Sequence, residues 1–330
     1  MAQFDFTKLK KIGVFCSGGD APGMNAAVRA VVRTAIYKKL DVVGIENGYA
    51  GMLRESFVPM QLRSVANIIQ RGGTILKAGR CPEFTTEKFR KIAHSNLVKH
   101  EIDAVVCIGG DGSFRGALSL WNEFQYPVVG VPGTIDNDIH STDLTIGYDT
   151  ALNTAVEAID RIRDTAASHD RLFIVEVMGH MSGWLALNVG LAGGAEDVFI
   201  PEVGSDIEKV IKSIERGQSR GKNSSILVTA EGQKPGRAYD LAEALRKKAG
   251  LDAKVCVLGH VQRGGTPSAQ DRILATRFGS TAVDVLQQGH CNVMVGTLNG
   301  GLVRVDLDKA TQKKPFTSLD LLDLLRILSH

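Results

Sequence analysis

The stretch "KIGVFCSGGDAPGMNAAVRAVVR" at residues 11–33 contains a strand signal, a glycine-rich turn and a helix signal in one continuous run. Its first six residues are mostly apolar, which is typical of a buried strand. Beyond the turn, apolar residues recur at helical spacing with Arg29 and Arg33 outside their stripe. The stripe consists of Ala27, Val28, Val31, Val32 and Ala35. The run predicts a strand, a tight turn and a helix that covers a sheet.

Five further apolar runs are each followed by glycine or polar residues. They are "AVVCIGG" then "DGS", "PVVGV" then "PGTIDND", "LFIVEVMG" then "HMSG", "SILVTA" then "EGQ", and "KVCVLG" then "HVQRGG". A second helical pattern covers "TALNTAVEAIDRIRDTAAS" at 150–168. This alternation predicts an α/β fold with mostly parallel strands. Ligands of such sheets bind beyond the carboxyl ends of the strands, where these polar clusters lie.

The composition limits the class of protein. A chain of 330 residues exceeds the roughly 250 to 300 at which single cores stop growing, so we expect two lobes. The balance of 39 Lys and Arg against 36 Asp and Glu, a net charge of +3, argues against a dedicated nucleic-acid binder. We find no signal peptide and no apolar run long enough for a membrane span. Five cysteines without a C-x-x-C pair indicate reduced thiols, and we expect a cytoplasmic protein.

The glycine-rich turns suggest a phosphate ligand, because glycine lets backbone N–H groups approach an anion. "SGGDAPGMN" at 17–25 matches neither the dinucleotide fingerprint nor the P-loop pattern. In "GGDGS" at 109–113, Asp111 lies between glycines, which suits a Mg²⁺ ion that bridges a carboxylate and phosphate oxygens. The tripeptide "SHD" at 168–170 does not indicate a hydrolase triad, because triad residues come from separated segments.

Basic residues at other strand ends and turns could provide the positive charge that phosphates need. These are Arg80, Arg171, His260 and Arg263. Arginine is suited to bidentate recognition of phosphate.

The segment "VPGTIDNDI" at 131–139 places Thr134, Asp136, Asn137 and Asp138 directly after an apolar run. Taken alone, such a cluster is typical of a turn. At a strand end in a parallel sheet it becomes a candidate site. Phosphoryl transfer needs a group that takes the proton of the acceptor hydroxyl, and Asp136 can be that base.

Together these segments resemble the bacterial-type ATP-dependent 6-phosphofructokinases. The matching stretches occur in family order over essentially the whole length: "KIGVFCSGGDAPGMNAAVRAVVR", "RGGT", "GRCPEF", "IGGDGS", "PGTIDNDI", "EAIDRIRDTAASHDR", "VEVMG", "LAGGAE", "VLGHVQRGGTP" and "DRILA". The resemblance implies two Rossmann-like lobes, each a mostly parallel sheet covered by helices, with the active site at strand C-terminal ends between the lobes. The ATP lobe would comprise 1–147 plus 262–311, and the fructose 6-phosphate lobe 148–261 plus 312–330.

The resemblance also implies transfer of the ATP γ-phosphate to the 1-hydroxyl of fructose 6-phosphate, in an oligomer that is usually a tetramer. It assigns Thr134 and Asp136 to the reacting end of the sugar, with Asp136 as proton acceptor and Asp111 on magnesium. Asp138 would support the metal through water. ATP would contact Gly19, Arg80, Cys81, Gly110, Asp111, Gly112 and Ser113. The sugar phosphate would contact Met178, Gly179, Glu231, His260 and Arg263, with Arg171 reaching in from a neighbouring subunit.

Two glycines favour ATP over pyrophosphate as the phosphoryl donor. Pyrophosphate-dependent relatives typically carry Asp where this chain has Gly112 and Lys where it has Gly133. A carboxylate at 112 would crowd and repel the inner phosphate of the nucleotide. A lysine at 133 would supply charge to the pyrophosphate, whereas Gly133 leaves space.

The chain departs from the family pattern at two substrate positions. His180 stands where an Arg normally faces the phosphates of the substrates, and a histidine is mostly neutral at pH 7.5. Lys254 replaces an interfacial Arg that holds the 6-phosphate, so charge is kept but bidentate geometry is lost.

A site for ADP or phosphoenolpyruvate as effector is a further implication. Its pattern is matched by Arg29, Arg33, Arg163, Glu196, Arg220 and Lys222. Leu62 stands where an effector-contacting Arg is expected, with Arg63 next to it, and Asn67 replaces an Asp.

Three alternatives remain at this point. The nearest is a pyrophosphate-dependent enzyme of the same fold. An NAD kinase would share "GGDG" but would not explain "PGTIDND" together with "GHVQRGG". A sugar-phosphate or nucleotide sensor without catalysis would not need a base such as Asp136.

Overall fold

The computed structural model describes residues 2–168, 171–204, 206–222 and 224–329. The chain forms two compact units. The first consists of Met1–Asp149 with Arg263–Lys314, and the second of Thr150–Gln262 with Pro315–His330. The α/β fold expected from the sequence, with mostly parallel sheets covered by helices, is confirmed.

The strands among the described residues alternate with helices along the chain. They are β1 (Ala2–Gln3), β2 (Lys11–Ser17), β3 (Asp41–Ile45), β4 (Phe57–Pro59), β5 (Ala104–Gly109), β6 (Val128–Pro132), β7 (Leu172–Val177), β8 (Asp197–Phe199), β9 (Ser225–Ala230), β10 (Ala253–Val257), β11 (His290–Cys291), β12 (Val293–Leu298) and β13 (Gly301–Asp306). The helices are α1 (Met24–Tyr37), α2 (Gly48–Leu53), α3 (Glu87–Lys99), α4 (Asp111–Phe124), α5 (Tyr148–Ser168), α6 (Trp184–Ala192), α7 (Ile207–Ser219), α8 (Arg237–Ala249), α9 (Ala269–Gln287), α10 (Leu307–Ala310) and α11 (Leu319–Leu328). Across these residues, no helix has both the length and the apolar composition that crossing a bilayer requires.

The first unit is built on a seven-stranded sheet in the order β13-β12-β6-β5-β2-β3-β4. Its five inner strands run parallel, whereas β4 and β13 are antiparallel edge strands. Every residue of β5 and β6 is buried, as expected for parallel strands covered on both faces. Helix α1 buries the predicted apolar stripe and packs closely on α9, since a Cβ at Gly279 would lie 2.6 Å from the Ala27 carbonyl oxygen.

The second unit contains a four-stranded parallel sheet in the order β10-β7-β9-β8. Its core includes Leu172, Ile174 and Leu227 from the strands, covered by apolar residues of α7 and α8. Because the strands are parallel, the carboxyl ends of β7, β9 and β10 lie at one edge of the sheet. That edge carries most of the predicted sugar-phosphate residues.

Candidate active site

Three neighbouring strands of the first unit end side by side. In the register of the sheet, Gly109 at the end of β5 pairs with Ser17 of β2 and with Pro132 of β6. The turns that follow these strands therefore leave the same edge of the sheet. The turn after β2 carries Gly19, the turn after β5 leads into residues 110–113, and the loop after β6 carries residues 134–138.

The packing between these turns requires small residues. A Cβ at Gly109 would lie 2.5 Å from Ser113 Oγ and 2.7 Å from the Ser17 carbonyl oxygen, so a larger residue would displace the turn. A Cβ at Gly110 would be 3.6 Å from the Thr134 Cβ. The structure thus brings the glycine-rich turn and the start of the acidic loop into contact range.

Asp111 occupies the first turn of α4, where the helix dipole favours a negative charge. Its carboxylate forms an ion pair with Arg115, with Arg115 Nη2 3.0 Å from Asp111 Oδ2 and Nε 3.1 Å from Oδ1. The Asp111 side chain is still 38% exposed. The sequence reasoning missed Arg115, although its spacing of four residues from Asp111 on one helix was a signal.

Beside Asp111, Gly112 faces open space. Within the described ranges, no atom outside its neighbours and its own helix backbone lies within 4 Å of the position that a Cβ would occupy. A side chain at 112 would therefore meet no steric obstacle at its Cβ.

Gly133 differs from Gly112. The expectation that Gly133 leaves space is wrong at the position that its Cβ would occupy. Both Ile108 Cγ2 and Met24 Cε would lie 3.1 Å from that Cβ. Apolar side chains fill the position, so the absence of a side chain at 133 serves packing.

The acidic loop holds two further carboxylates, Asp136 and Asp138. The Asp136 backbone N–H donates to Thr134 Oγ1 at 3.3 Å. Burial, reinforced by the negative charges of Asp136 and Asp111, raises the pKa of Asp138 to about 6. Lys314 donates to the Asn137 carbonyl oxygen at 3.0 Å, and burial lowers its pKa to about 8. The loop thus has excess negative charge that a cation would stabilise.

The described residues contain no group of three or more His, Cys, Asp or Glu side chains arranged to hold a metal ion. Mg²⁺ commonly takes only one or two protein carboxylates and completes its shell with substrate phosphates and water. Asp111 fits such a site, because its carboxylate is partly exposed. It also lies close enough to Asp138 to raise the pKa of that residue.

The first turn holds an unexpected neighbour. Arg263, which the resemblance assigns to the sugar phosphate, donates from Nη1 to the Asp20 carbonyl oxygen at 3.0 Å. A Cβ at Gly19 would lie 2.5 Å from the same Nη1. Nearby, the Gly18 N–H donates to the Gly79 carbonyl oxygen at 3.3 Å, which places the segment of Arg80 and Cys81 beside this turn. Arg263 therefore lies with the predicted ATP residues.

In the second unit, Met178, Gly179 and His180 follow β7 directly, and Glu231 follows β9. The His180 N–H donates to Glu231 Oε1 at 3.2 Å. Gly179 has φ +128°, and a Cβ there would lie 2.7 Å from the Ser182 carbonyl oxygen, so the position requires glycine. His180 is exposed with φ +50°.

Two buried polar residues of this unit escaped the sequence reasoning. The Oε1 and Oε2 atoms of Glu176 accept the N–H groups of Gly236 and Ala238, both at 2.8 Å, at the start of α8. Gln262 accepts the Met178 N–H at 2.9 Å. Both lie in stretches that carry the family resemblance, "VEVMG" and "VLGHVQRGGTP", but neither was singled out as a site residue.

Two basic residues predicted for the sugar phosphate lie apart from Met178. Arg171 directly precedes β7, at the amino end of the strand. Lys254 is near the amino end of β10, where Lys254 Nζ donates to Asp252 Oδ2 at 2.7 Å. The structure thus places these two cations at the opposite end of the sheet from Met178. His169 and Asp170, of the tripeptide at 168–170, lie outside the described residues.

The predicted effector residues are divided between the units. Arg29 and Arg33 project from α1 in the first unit. In the second, Lys222 Nζ lies 2.5 Å from Glu196 Oε1, and the Arg163 guanidinium donates to the Gly193 and Gly194 carbonyl oxygens. The other positions of the pattern lie at the surface. Arg220 is exposed and follows α7, and Leu62 and Arg63 are exposed in one 3₁₀ turn. Asn67 is exposed with φ +53°.

Comparisons with known proteins agree with the resemblance. Residues 11–286 match the model of the family described as phosphofructokinase. The "ATP-dependent 6-phosphofructokinase 1" of Thermus thermophilus is 55% identical over 321 residues, covering 97% of this chain and 100% of that protein.

Among solved structures, the Pichia pastoris phosphofructokinase in the T-state superposes with a TM-score of 0.86 at 38% identity. The match covers 92% of this chain and 37% of that longer chain. A pyrophosphate-dependent phosphofructokinase from Marinobacter aquaeolei has a TM-score of 0.80 at 23% identity, covering 96% of this chain and 91% of that one, and shares the fold.

Proposed function

The chain belongs to the phosphofructokinase family, and we infer that it is an ATP-dependent 6-phosphofructokinase. The reaction transfers the γ-phosphoryl group of ATP to the 1-hydroxyl of fructose 6-phosphate and gives fructose 1,6-bisphosphate and ADP. The observation that carries this function is the full-length identity of 50–55% to relatives named for that activity.

The identity of the donor is supported by two observations. The relatives of 50–55% identity are named ATP-dependent, whereas the pyrophosphate-dependent structures are only 22–23% identical. Gly112 supports ATP as well, because open space next to it can admit the inner phosphates of a nucleotide. At Gly133 the argument from space does not hold, since Met24 and Ile108 lie close to the position of a Cβ, and only the absence of a lysine charge remains.

The catalytic roles that we propose belong to the first unit. Asp136 takes the proton of the 1-hydroxyl, the freed oxygen attacks the γ-phosphorus, and the bond from that phosphorus to the bridging oxygen of ADP breaks. Thr134 orients this loop, in keeping with its hydrogen bond to the Asp136 N–H. Gly110 to Ser113 hold phosphate at the start of α4, and Gly19, Arg80 and Cys81 contact the nucleotide.

We propose that Asp111 holds a Mg²⁺ ion, with Asp138 acting on it through water. The ion would neutralise charge on the transferring phosphates. Asp111 would have to exchange its ion pair with Arg115 for the metal, which is feasible because both side chains are exposed. The raised pKa of Asp138 comes first from burial and then from the charges of Asp136 and Asp111, and it supports this site because a bound cation would favour the ionised carboxylate.

For the sugar phosphate we propose the strand-end residues of the second unit. These are Met178, Gly179, His180, Glu231 and His260. Arg171 and Lys254, at the other end of the sheet, fit a role in the site of a neighbouring subunit of a homotetramer. An ADP or phosphoenolpyruvate site is supported by the ion pair of Lys222 with Glu196. The five cysteines, which form no disulfide, agree with a cytoplasmic location.

A coupled assay for fructose 1,6-bisphosphate tests the function, with ATP and pyrophosphate compared side by side at saturating Mg²⁺ and fructose 6-phosphate. We expect product with ATP and little with pyrophosphate. Asp136→Asn should lower kcat by about 10²- to 10⁴-fold, the usual contribution of a general base, with the KM for ATP nearly unchanged. Absence of product from the wild-type protein would exclude the enzyme, and near-normal turnover of Asp136→Asn would remove the proposed base.

Effector binding has its own test. At low fructose 6-phosphate, ADP or phosphoenolpyruvate should change the rate if the Lys222–Glu196 region is regulatory. A flat response to both compounds would argue against an effector site.

A further inference from the structure

The loop of residues 178–180 depends on a side chain that lies 84 positions further along the chain. Gln262 belongs to the 3₁₀ turn Gly259–Arg263 and has 0% of its surface exposed. Its Oε1 atom accepts the Met178 backbone N–H at 2.9 Å. This bond connects the end of β7 to the turn that follows β10.

The backbone of this loop needs such external support. Gly179 and His180 both have positive φ, at +128° and +50°, which ends the extended conformation of β7 abruptly. Two hydrogen bonds hold the rest of the loop. The Ser182 N–H donates to the Gly179 carbonyl oxygen at 2.8 Å, and the His180 N–H donates to Glu231 Oε1 at 3.2 Å. The Gln262 bond fixes the residue from which this turn departs.

The chemistry of Gln262 suits this task. Its oxygen is committed to Met178, whereas its Nε2 atom is buried and finds no hydrogen-bond partner in the parts of the chain that the structure describes. An unmade hydrogen bond of a buried amide costs about 1–3 kcal/mol. A carboxylate would accept the same bond but would bury a charge, and an apolar side chain of that length would leave the Met178 N–H unpaired. Glutamine avoids both problems, because its side-chain oxygen is neutral and is long enough to reach the Met178 N–H.

We propose that Gln262 is a positioning residue for the acceptor substrate: its side-chain oxygen sets the conformation of residues 178–180 and thereby the affinity for the phosphorylated sugar. The proposal rests on the proposed function, in which Met178, Gly179 and His180 bind fructose 6-phosphate. It predicts that substitution of Gln262 changes the KM for fructose 6-phosphate more than the KM for ATP.

Gln262→Met tests the oxygen, because methionine has similar length and cannot replace the acceptor. We expect the KM for fructose 6-phosphate to rise about tenfold, as loss of a buried acceptor at the low end of its range implies. The KM for ATP should stay within about twofold of the wild-type value, because its proposed contacts lie on other loops.

Gln262→Glu provides the rescue. Burial raises the pKa of a carboxyl group, so that glutamate at 262 is protonated at pH 6 and keeps a neutral acceptor oxygen. Relative to wild type at the same pH, its KM for fructose 6-phosphate should be close to normal at pH 6 and clearly raised at pH 8. Gln262→Met should show no such recovery.

Two controls separate positioning from general damage. Thr229→Val removes one hydrogen bond of a fully buried side chain on the neighbouring strand β9, without touching residues 178–180. It should lower the melting temperature without the selective change in KM. Hydrogen exchange of the Met178 amide, measured without substrate, should accelerate in Gln262→Met and not in Thr229→Val.

The outcomes distinguish this inference from the function on which it rests. A wild-type protein that makes no fructose 1,6-bisphosphate overturns the proposed function, and the Met178 exchange rate still tests the contact. An active wild type with equal KM changes for both substrates in Gln262→Met, or with unchanged Met178 exchange, overturns the positioning role of Gln262.

Discussion

Asp138→Asn should stabilise the ligand-free protein above about pH 6, because it removes a charge that the fold disfavours. The pKa of Asp138 is raised from 3.8 to about 6, first by burial and then by Asp136 and Asp111. The difference of about two units corresponds to about 3 kcal/mol at 1.36 kcal/mol per unit. This figure already includes the attraction between Asp138 and Lys314, because that attraction lowers the pKa of Asp138.

The sign of the pH dependence follows from the direction of the pKa shift. Above about pH 6 the carboxyl group is ionised in both the folded and the unfolded chain, so the folded state carries the full penalty. Below about pH 4 the group is protonated in both states and the penalty disappears. The advantage of the Asn variant should therefore be largest at pH 7–8 and vanish as the pH falls to about 4.

Thermal unfolding in the presence of EDTA, without nucleotide, measures this effect. An unfolding entropy of about 2.1 cal/mol/K per residue over 330 residues gives about 0.7 kcal/mol/K, so 3 kcal/mol corresponds to a rise of about 4 °C in Tm. Addition of Mg²⁺ and ATP should raise the Tm of the wild type more than that of the variant. A variant that is less stable than wild type at pH 8, or equally stabilised at pH 4 and pH 8, would refute the reasoning.

Three further substitutions test the site. Gly112→Asp should fold normally, because its side chain enters open space, but should raise the KM for ATP about tenfold or more through repulsion of the phosphates, as steady-state kinetics would show; an unchanged KM would contradict the placement of ATP. His180→Arg should preserve or raise kcat, since it adds a permanent charge to an exposed loop, whereas a loss above about tenfold would show that the imidazole has a role of its own. Arg115→Met should lower the Mg²⁺ concentration that gives half-maximal rate by up to about fivefold. The reason is that an exposed ion pair worth about 0.2–1 kcal/mol no longer competes with the metal for Asp111. Titration with Mn²⁺, followed by electron paramagnetic resonance, measures the metal affinity independently.

The fold could be predicted because its signals are local. All six apolar runs became strands, with the run from Lys11 as β2 and the run from Ala104 as β5. The two helical patterns became α1 and α5. Buried parallel strands and amphipathic helices reveal themselves by composition and period. The parallel strands β3, β8 and β12 were not among these runs. The antiparallel edge strands β4 and β13 also escaped, because most of their residues are exposed and they lack a buried apolar run.

The pairing of side chains in the site was less predictable. The sequence indicated that Asp111, Thr134 and Asp136 lie at strand ends, and the register of β5 and β6 brings their turns together. It did not indicate that Arg263 would lie over Gly19, because that contact joins positions far apart in the chain. Gln262 lies within the quoted stretch "VLGHVQRGGTP", but only the fold shows that its side chain accepts the Met178 N–H.

The two units differ in their buried and charged side chains, and we expect this difference to decide where a substitution acts. In the first unit, burial and the charges of Asp136 and Asp111 raise the pKa of Asp138, and a bound cation would favour its ionised form. In the second, Glu176 and Gln262 accept backbone N–H groups and so set the shape of loops. Changes to charge in the first unit should therefore appear in the dependence on Mg²⁺, ATP and pH. Changes to the buried acceptors of the second should appear in the affinity for the sugar phosphate, because a displaced loop cannot be compensated by a metal ion.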